Sequence, residues 1–594
     1  MSVVLSQRDL DFLLYEWLNV EQLTGRERYR HHSAETFRGI MSLSRDVAER
    51  EFAPHNAASD ADEPQFDGDR VTVNPHIAPA LQAFADTGLF AATFDEEMGG
   101  GQLPHVIHRA CFLWFQAANI ATSSYPGLAM ANANLLIAHG SPAQVRAFVP
   151  PMIEGRFMGT MCLSEPQAGS SLADVATRAL RQPDGTYRLH GAKMWISGGD
   201  HELTENIVHL VLARVPGDPE GVKGLSLFIV PKRLLDVDGS VGERNDVTLA
   251  GINHKMGWRG TVNTFLKFGE GRYMPGGEAG AVGYLIGQRG HGLAYMFHMM
   301  NEARIGVGAG ALALGYTSYL YAVDYAQTRK QGRTAGAERG GPVPIVRHLD
   351  VRRMLLASKS YVEGGLALVL FAARLLDERL TGDSERTRDE AALLLDVLTP
   401  IVKSWPSTWG LVANDHAIQV HGGYGYTRDY PVEQFYRDNR LNPIHEGTHG
   451  VQGLDLLGRK VMKHDGGALN LLLSRMRDAC AVAPESLAGW ADQLTQACAR
   501  AEHTTGMLTD PAAPEGTVHA NASMYLDALG HVVVAWLWLE QATVCHDRDT
   551  EPFYAGKMAA ARYFFTYELP KTGPMFDLMD ARDTLLADLA EESL

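Results

Sequence analysis

The sequence predicts an α+β fold that is mainly α: an N-terminal helical domain, a middle antiparallel β domain, a C-terminal four-helix bundle and an appended C-terminal helical region. Three observations predict it. Apolar residues recur at helical spacing up to about residue 157, short β-type runs separated by turn residues follow, and long apolar segments return after about residue 281. A chain of 594 residues is too long for one ordinary domain. The predicted domains are 1–157, 158–280, 281–470 and 471–594.

Composition limits the class of partner. Hydrophobic residues make up 45% of the chain, as in soluble globular proteins. Lys and Arg number 53 against 70 Asp and Glu, giving a formal charge of −17, which argues against a broad nucleic-acid-binding surface. We therefore expect no nucleic-acid partner.

Cysteine usage and the N-terminus indicate a cytoplasmic protein. The cysteines are odd in number and widely spaced, so no disulfide framework or C-x-x-C metal site is predicted. They are Cys111, Cys162, Cys480, Cys498 and Cys545. The N-terminus lacks the basic region and continuous apolar core of a signal peptide, and we find no apolar run long enough to span a bilayer. No membrane insertion is expected.

The predicted β domain depends on short runs rich in β-branched and aromatic residues, with Asp184-Gly185 as one of the turns between them. The candidate strands are 158–163, 187–190, 193–197, 207–213, 225–230 and 261–268.

Long helices are predicted on both sides of the β domain. Residues 110–136 are typical of a helix inside a bundle. The later segments 294–327, 351–380 and 389–418, with a fourth at 450–463, predict the four-helix bundle. Beyond it, 525–544 is too apolar for a free linker, so we expect the tail to pack on the core.

A glycine-rich stretch inside the first of these later helices resembles a dinucleotide fingerprint by spelling alone. Residues 306–311 read G-V-G-A-G-A, which fits G-x-G-x-x-A. The fingerprint requires a preceding strand and a βαβ unit, whereas these residues follow a helical run. Close packing of helices on small residues explains the stretch better.

The segment 437–452 has two chemical interpretations. His445-Glu446-Gly447-Thr448-His449 has the H-E-x-x-H spacing of a zinc protease. That chemistry needs a helix, so that both histidines share one face, and a third ligand, which nothing nearby supplies. The alternative is that both histidines are ordinary polar residues of a loop or helix start. The first interpretation predicts zinc, the second no metal.

Five separated motifs in one order distinguish these alternatives. They are M-C-L-S-E-P-Q-A-G-S-S at 161–171, K-M-W-I-S-G-G at 193–199, N-E-A-R at 301–304, T-R-K-Q-G-R at 328–333, and Q-V-H-G-G-Y-G-Y at 419–426 followed by I-H-E-G-T at 444–448. With the helical, β, helical order, they resemble the acyl-CoA dehydrogenase family over about 35–463. The length and both extra ends resemble its long subgroup, which includes 3-methylmercaptopropionyl-CoA dehydrogenases and broad-range fatty acyl-CoA dehydrogenases.

The resemblance implies a set of flavin-contacting residues. FAD would lie between the β domain and the C-terminal bundle. Arg329 would reach the FAD diphosphate of a neighbouring subunit, together with backbone near Gln419, Gly422 and Gly423, and Thr448 would lie by the adenine-side phosphates. The predicted contacts to the flavin itself are Met161, Leu163, Ser164, Trp195 and Ser197.

The resemblance also implies the substrate and the reaction. Ser170, Asn301 and Arg304 would hold the CoA portion of an acyl-CoA thioester. Glu446 would remove the α proton while the β hydrogen leaves as hydride to flavin N5, giving the trans-2-enoyl-CoA. Electron-transfer flavoprotein would accept the electrons, and the protein would be a homodimer or a dimer of dimers.

Several positions depart from the family pattern. Ser171 and Asn301 each replace a usual Asp, His445 a usual Tyr, and Gly450 a usual Gln. The alternatives left open are a 3-(methylthio)propanoyl-CoA dehydrogenase specifically, a non-catalytic DNA-binding flavoprotein of the same fold, and the zinc hydrolase.

Overall fold

The computed structural model describes residues 3–333, 341–548 and 550–594, and it is mainly helical with one large sheet. The helices are α1 (Gln7–Asp11), α2 (Ala34–Val47), α3 (Asn56–Ala61), α4 (Ile77–Asp86), α5 (His105–Ala118), α6 (Ile120–His139), α7 (Pro142–Ile153), α8 (Gly292–Thr328), α9 (Leu349–Thr381), α10 (Glu385–His421), α11 (Val432–Asn439), α12 (His449–Asp455), α13 (Gly467–Ala481), α14 (Ala488–Leu508), α15 (Thr517–Cys545), α16 (Pro552–Tyr563), α17 (Thr572–Asp580) and α18 (Leu585–Asp588).

Apart from one short hairpin, the strands fall between residues 157 and 285, so the last of them lies just past the predicted middle region of 158–280. They are β1 (Gln65–Phe66), β2 (Val71–Thr72), β3 (Phe157–Cys162), β4 (Arg178–Arg181), β5 (Tyr187–Ser197), β6 (Asn206–Arg214), β7 (Leu225–Pro231), β8 (Arg233–Leu235), β9 (Val241–Arg244), β10 (Val247–Ile252), β11 (Asn263–Phe268) and β12 (Ala281–Leu285). The chain divides into two compact units, one of residues 39–103 and 118–303, the other of the described residues of 3–38, 104–117 and 304–594.

The unit that contains the sheet is arranged around the order β10-β11-β5-β12-β7-β6-β3, with β4 pairing to β5 and β6. The predicted antiparallel pairing is confirmed for most strands of this sheet, and the exception is β6, which pairs in parallel with both β3 and β4. Strand alternation alone does not give pairing direction. The two runs predicted at 187–190 and 193–197 form one continuous strand, β5.

Helix α6 lies close against strand β3, and this contact requires a glycine. The Asn132 amide on α6 donates to the main-chain oxygens of Thr160 (3.3 Å) and Val208 (2.9 Å). A Cβ on Gly159 would lie 2.5 Å from the same amide nitrogen. The helix therefore holds β3 in place immediately before the loop at 163–171.

The other unit contains α8 from Arg304 onward and the long helices α9 and α10, and α8 meets α10 through backbone contacts. A Cβ on Gly308 would lie 1.9 Å from the Val402 carbonyl oxygen, and one on Gly315 would lie 2.8 Å from the Cα of Gly410. The glycine-rich stretch at 306–311 is thus a helix-packing surface, as predicted. The fourth predicted helix is α12, which continues into a π-helical turn over Leu456–Lys460.

The tail and the N-terminal segment pack into this same unit. Trp538 on α15 is buried and its indole N–H donates to the Ser360 carbonyl oxygen on α9 (3.1 Å). Lys557 forms buried ion pairs with Asp9, near the N-terminus, and with Glu363 on α9. The expectation that the tail packs as helices is confirmed for its described residues.

Two of these helices bear on the expectation about membranes. By length and composition, α9 and α15 could each cross a bilayer, so the statement that no run is long enough was too strict for the described residues. In each, 83% of the most apolar window is buried inside the protein, which accounts for its hydropathy.

Candidate functional site

In the sheet unit, the loop after β3 is fixed by a buried ion pair. The Lys193 ammonium on β5 lies 2.9 Å from Glu165 Oε1, and both side chains are almost completely buried. Lys193 also donates to the Leu163 carbonyl oxygen (2.9 Å). Burial opposes ionisation of Glu165, but Lys193 and donors from Thr177 and Ala176 outweigh it and lower the pKa of Glu165 to about 2. The loop is therefore anchored to β5.

This anchored loop lies beside an exposed indole. Trp195 adopts a left-handed backbone conformation (φ +66°), and 62% of the residue is exposed, which is unusual for a tryptophan in a central strand. The Met194 N–H donates to the Ser164 carbonyl oxygen (2.9 Å), and the Ser197 hydroxyl accepts from the Asn263 amide (3.3 Å). An exposed aromatic face next to a hydroxyl-bearing loop suits a flat cofactor.

Five predicted flavin contacts therefore occupy neighbouring positions of this unit. They are Met161 and Leu163 at the end of β3, Ser164 in the loop, and Trp195 and Ser197 on β5. Ser170, predicted to hold CoA, is exposed in the same loop, and its neighbour Ser171 donates to Asp174 (2.6 Å). Asn301 is half-buried on α8, and within the described residues its Oδ1 has no hydrogen-bond partner.

In the helical unit, Glu446 lies in a turn whose backbone is fixed by the buried side-chain amide of Gln452. Its backbone is left-handed (φ +55°), followed by Gly447 at φ +91°. The Gln452 amide nitrogen donates to the Glu446 carbonyl oxygen (2.9 Å). A Cβ on Gly447 would lie 2.5 Å from that nitrogen, so a glycine is needed here. Strained conformations of this kind concentrate at functional sites.

The zinc geometry is not formed. A zinc site would need His445 and His449 on one helical face, but residues 445–447 form a turn and α12 begins only at His449. Thr448 caps that helix by accepting from the Val451 N–H (3.4 Å). The imidazole of His449 instead lies 3.2 Å from Asp527.

Two cations lie near the Glu446 carboxyl. Burial raises the pKa of Glu446 to about 7, opposed by Arg304 on α8 and Lys403 on α10. Arg304 is 3% exposed and forms an ion pair with Asp455 on α12 (3.0 Å). Burial, reinforced by Lys403, lowers the pKa of His445 to about 3, so the imidazole is neutral. The result is a carboxyl group that can take up or release a proton near neutral pH.

A separate cleft of about 580 Å³ in this unit brings together residues that lie far apart in the chain. Arg329, at the end of α8, and the glycines Gly422 and Gly423, after α10, line it with Tyr424. Gly422 is left-handed (φ +62°), and its N–H donates to the Gln419 carbonyl oxygen. The Arg329 guanidinium lies 5.6 Å from the centre of the Tyr424 ring. A cation beside exposed glycine backbone can bind a diphosphate.

Sequence reasoning missed several residues of these sites. Glu165 and Lys193 lie within quoted motifs, but their pairing is a tertiary contact. The hydrogen bond from Gln452 to the Glu446 carbonyl oxygen depends on the conformation of the turn, which the sequence does not show. Lys403 did have a signal: it is the only charged side chain between Asp396 and Asp415.

The chain matches models of one enzyme family along most of its length. The matches are to the acyl-CoA dehydrogenase N-terminal domain (35–156), middle domain (160–269) and C-terminal domain (290–461), and to the acetyl-CoA dehydrogenase C-terminal-like domain (472–590).

Similar curated proteins include 3-methylmercaptopropionyl-CoA dehydrogenase of Ruegeria pomeroyi, 37% identical over 77% of this chain and 76% of the relative. The broad-specificity linear acyl-CoA dehydrogenase FadE5 of Mycobacterium tuberculosis is 32% identical over 98% of each chain.

Solved structures show the same fold. The structure of Caenorhabditis elegans ACDH-11 with C11-CoA has a TM-score of 0.74 at 20% identity, covering 98% of this chain and 94% of the other. An acyl-CoA dehydrogenase of Bacillus anthracis with FAD has a TM-score of 0.73 at 20% identity, covering 96% and 91%.

Proposed function

Because this chain belongs to the acyl-CoA dehydrogenase family, we propose that Glu446 is the base that removes the α proton of its acyl-CoA substrate. The chain is an FAD-dependent acyl-CoA dehydrogenase, an oxidoreductase acting on a CH–CH bond. The observation that carries the proposal is the carboxyl of Glu446 on a left-handed turn, where burial raises its pKa to about 7.

The position of Glu446 suits proton abstraction. A general base works best when its pKa lies near the working pH, because it is then both ionised and basic. The Gln452 hydrogen bond fixes the main chain of Glu446. Little backbone conformational entropy is therefore lost when the carboxylate is positioned at the α carbon. The Glu446 N–H is the donor that we propose for the thioester carbonyl, which makes the α proton more acidic.

Bound FAD supplies the acceptor for the β hydrogen, which leaves as hydride. We assign the flavin to the loop and strand formed by Met161, Leu163, Ser164, Trp195 and Ser197. The exposed indole of Trp195 and the anchored loop fit a flat ring system. Ser170 and Asn301 are assigned to the CoA portion, Asn301 with a buried oxygen still able to accept a hydrogen bond. Arg304 keeps this assignment by resemblance, although Asp455 already engages it.

The cleft at Arg329 supports a shared cofactor site. We propose that Arg329, Gln419, Gly422 and Gly423 bind the FAD diphosphate of a second copy of this chain, and that Thr448 lies by the adenine-side phosphates. The protein would then be a homodimer or a dimer of dimers. Replacing Arg329 with Met should lower the FAD content of purified protein, as measured by flavin absorbance per chain, and unchanged content would contradict this assignment.

The reaction has an organic product and also releases two electrons, which need an acceptor. We propose trans-2-enoyl-CoA as the organic product and electron-transfer flavoprotein as the acceptor of the electrons. A turnover assay with electron-transfer flavoprotein as the only acceptor tests the second point. Absence of turnover with a substrate that fully reduces the bound FAD would contradict it.

The substrate class is tested by anaerobic titration of the FAD-loaded protein. The panel is linear acyl-CoAs of increasing chain length and 3-methylmercaptopropionyl-CoA, suggested by the names of the two relatives. Loss of the oxidised flavin spectrum with at least one thioester, and no loss in Glu446→Gln, is expected. A bound flavin that no acyl-CoA reduces would favour the non-catalytic flavoprotein.

A further inference from the structure

Lys403 is a buried cation to which the mechanism above gives no task. It lies on α10, is fully buried, and within the described residues its Nζ has no hydrogen-bond partner. Burial of an ammonium group without an acceptor is costly. A side chain of this kind, on α10 where that helix contacts α8, calls for an explanation other than packing.

The contact between the two helices brings both cations to one place. A Cβ on Gly308 would lie 3.3 Å from the Lys403 Cα, so the backbones of α8 and α10 touch at this point. Arg304 lies one helical turn before Gly308 on α8. Lys403 and Arg304 both interact electrostatically with Glu446.

The two cations near Glu446 differ in whether a carboxylate pairs with them. Arg304 is already paired with Asp455, which also bonds to Arg459 in the following turn. His445, beside the base, is neutral. Lys403 differs from Arg304 in this respect. Within the described residues, no carboxylate lies within ion-pair distance of the Lys403 ammonium.

We propose that Lys403 is a positioning residue for the base, whose ammonium attracts the Glu446 carboxylate while no thioester is bound and keeps it ionised at neutral pH. This inference rests on the proposed function of Glu446. Lys403 touches neither substrate nor cofactor in this account. It acts only through Glu446.

The direction of the pH effect follows from the two groups. Burial raises the pKa of Glu446 and Lys403 opposes that rise, so loss of the cation moves the pKa of Glu446 above about 7. The base acts as a carboxylate, so the acid side of the rate profile moves to higher pH. Burial lowers the pKa of Lys403 itself to about 8, so its charge is present where Glu446 titrates.

The test compares Lys403→Met with Lys403→Arg in FAD-loaded protein. Methionine keeps the length without the charge, and arginine keeps the charge. The pH profile of kcat/KM for the best acyl-CoA reports the free enzyme. Its acid midpoint should rise in Lys403→Met, by up to the roughly 1–3 pH units that an opposite charge at about 4–6 Å produces. The rate should approach that of the parent at high pH, and Lys403→Arg should keep the parent's midpoint.

A second readout does not depend on turnover. Infrared difference spectra of the oxidised, substrate-free protein follow the carboxyl C=O band of Glu446, identified by its loss in Glu446→Gln. The band should persist to higher pH in Lys403→Met than in the parent. Equal midpoints in the two proteins would overturn the proposal.

The outcomes separate this inference from the proposed function. If Glu446→Gln still reduces flavin at the parent's rate, the base is elsewhere and the proposed function fails. If Glu446→Gln is inactive but Lys403→Met has the parent's midpoint, only the role of Lys403 fails. A fall in Tm with equal loss of rate at every pH would mean that Lys403 is structural. We expect a Tm no lower than the parent's, because methionine removes an ammonium without acceptors.

Discussion

The side-chain amide of Gln452 donates a 2.9 Å hydrogen bond to the main-chain oxygen of Glu446, six residues earlier. Gln452 is fully buried on α12, so the first turn of this helix and the proposed base form one rigid element. A catalytic carboxylate in a left-handed conformation needs such support, since the backbone energy alone favours another arrangement.

Replacement of Gln452 with Leu should slow flavin reduction while FAD stays bound. The hydrogen bond to the Glu446 oxygen is lost, and the turn can relax away from the productive geometry. Stopped-flow absorbance with a saturating acyl-CoA measures the effect. Gln434→Leu, at another buried glutamine on α11, is the matched control. Equal losses in both variants would indicate general destabilisation.

Gly447→Ala should destabilise the turn, and Gly450→Ala should not. The Gly447 backbone is left-handed, which costs an alanine about 1–2 kcal/mol. Its Cβ would also displace the Gln452 amide. At Gly450, inside α12, the nearest atom to a Cβ is 3.8 Å away. Denaturant unfolding and flavin reduction rates of the two variants check the contrast. Similar free energies of unfolding would contradict the left-handed turn.

The Lys193–Glu165 ion pair, which anchors the loop proposed to contact the flavin, predicts an effect on cofactor retention. Lys193→Met leaves the Glu165 carboxylate buried without its cation, a loss of up to about 3–5 kcal/mol. We expect a lower Tm and less FAD retained after gel filtration. The double variant Lys193→Met/Glu165→Gln should recover part of both, because no uncompensated charge remains. A double variant as poor as the single one would show that the pair does not anchor the loop.

Truncation after about residue 468 should give insoluble or destabilised protein. The deletion removes α15, whose Trp538 packs where Gly364 leaves room on α9, and exposes the apolar face beneath. Trp538→Ala in the full chain should cost about 3–5 kcal/mol of unfolding free energy. Soluble truncated protein with the parent's Tm would show that the tail is dispensable.

The sequence predicts the element order, because apolar spacing and turn residues report local structure directly. The strand β5 and the long helices α8 to α10 lie close to their predicted positions. The parallel pairing of β3 with β6 was not predicted, because these strands are joined by a long connection that alternation does not reveal. The predicted domain limits remain predictions.

The candidate site was only partly accessible to sequence reasoning. Motif spelling led to Glu446, Trp195 and Arg329, since those residues stand in distinctive local contexts. The role of Gln452 and the Arg304–Asp455 pair depend on how separate helices meet, which no local pattern encodes. The solitary charge of Lys403 in an uncharged helical stretch was visible and went unused.

Glu446 is the central residue of the proposed mechanism, and one measurement tests its role as the base directly. Glu446→Gln keeps the shape of the side chain but cannot accept a proton. FAD and acyl-CoA should still bind, as checked by the flavin spectrum and by its perturbation on adding substrate. Stopped-flow flavin reduction should fall by at least roughly the 10²–10⁴ typical of general base catalysis. Reduction within about tenfold of the parent's rate would contradict the assignment, because another group would then be removing the α proton.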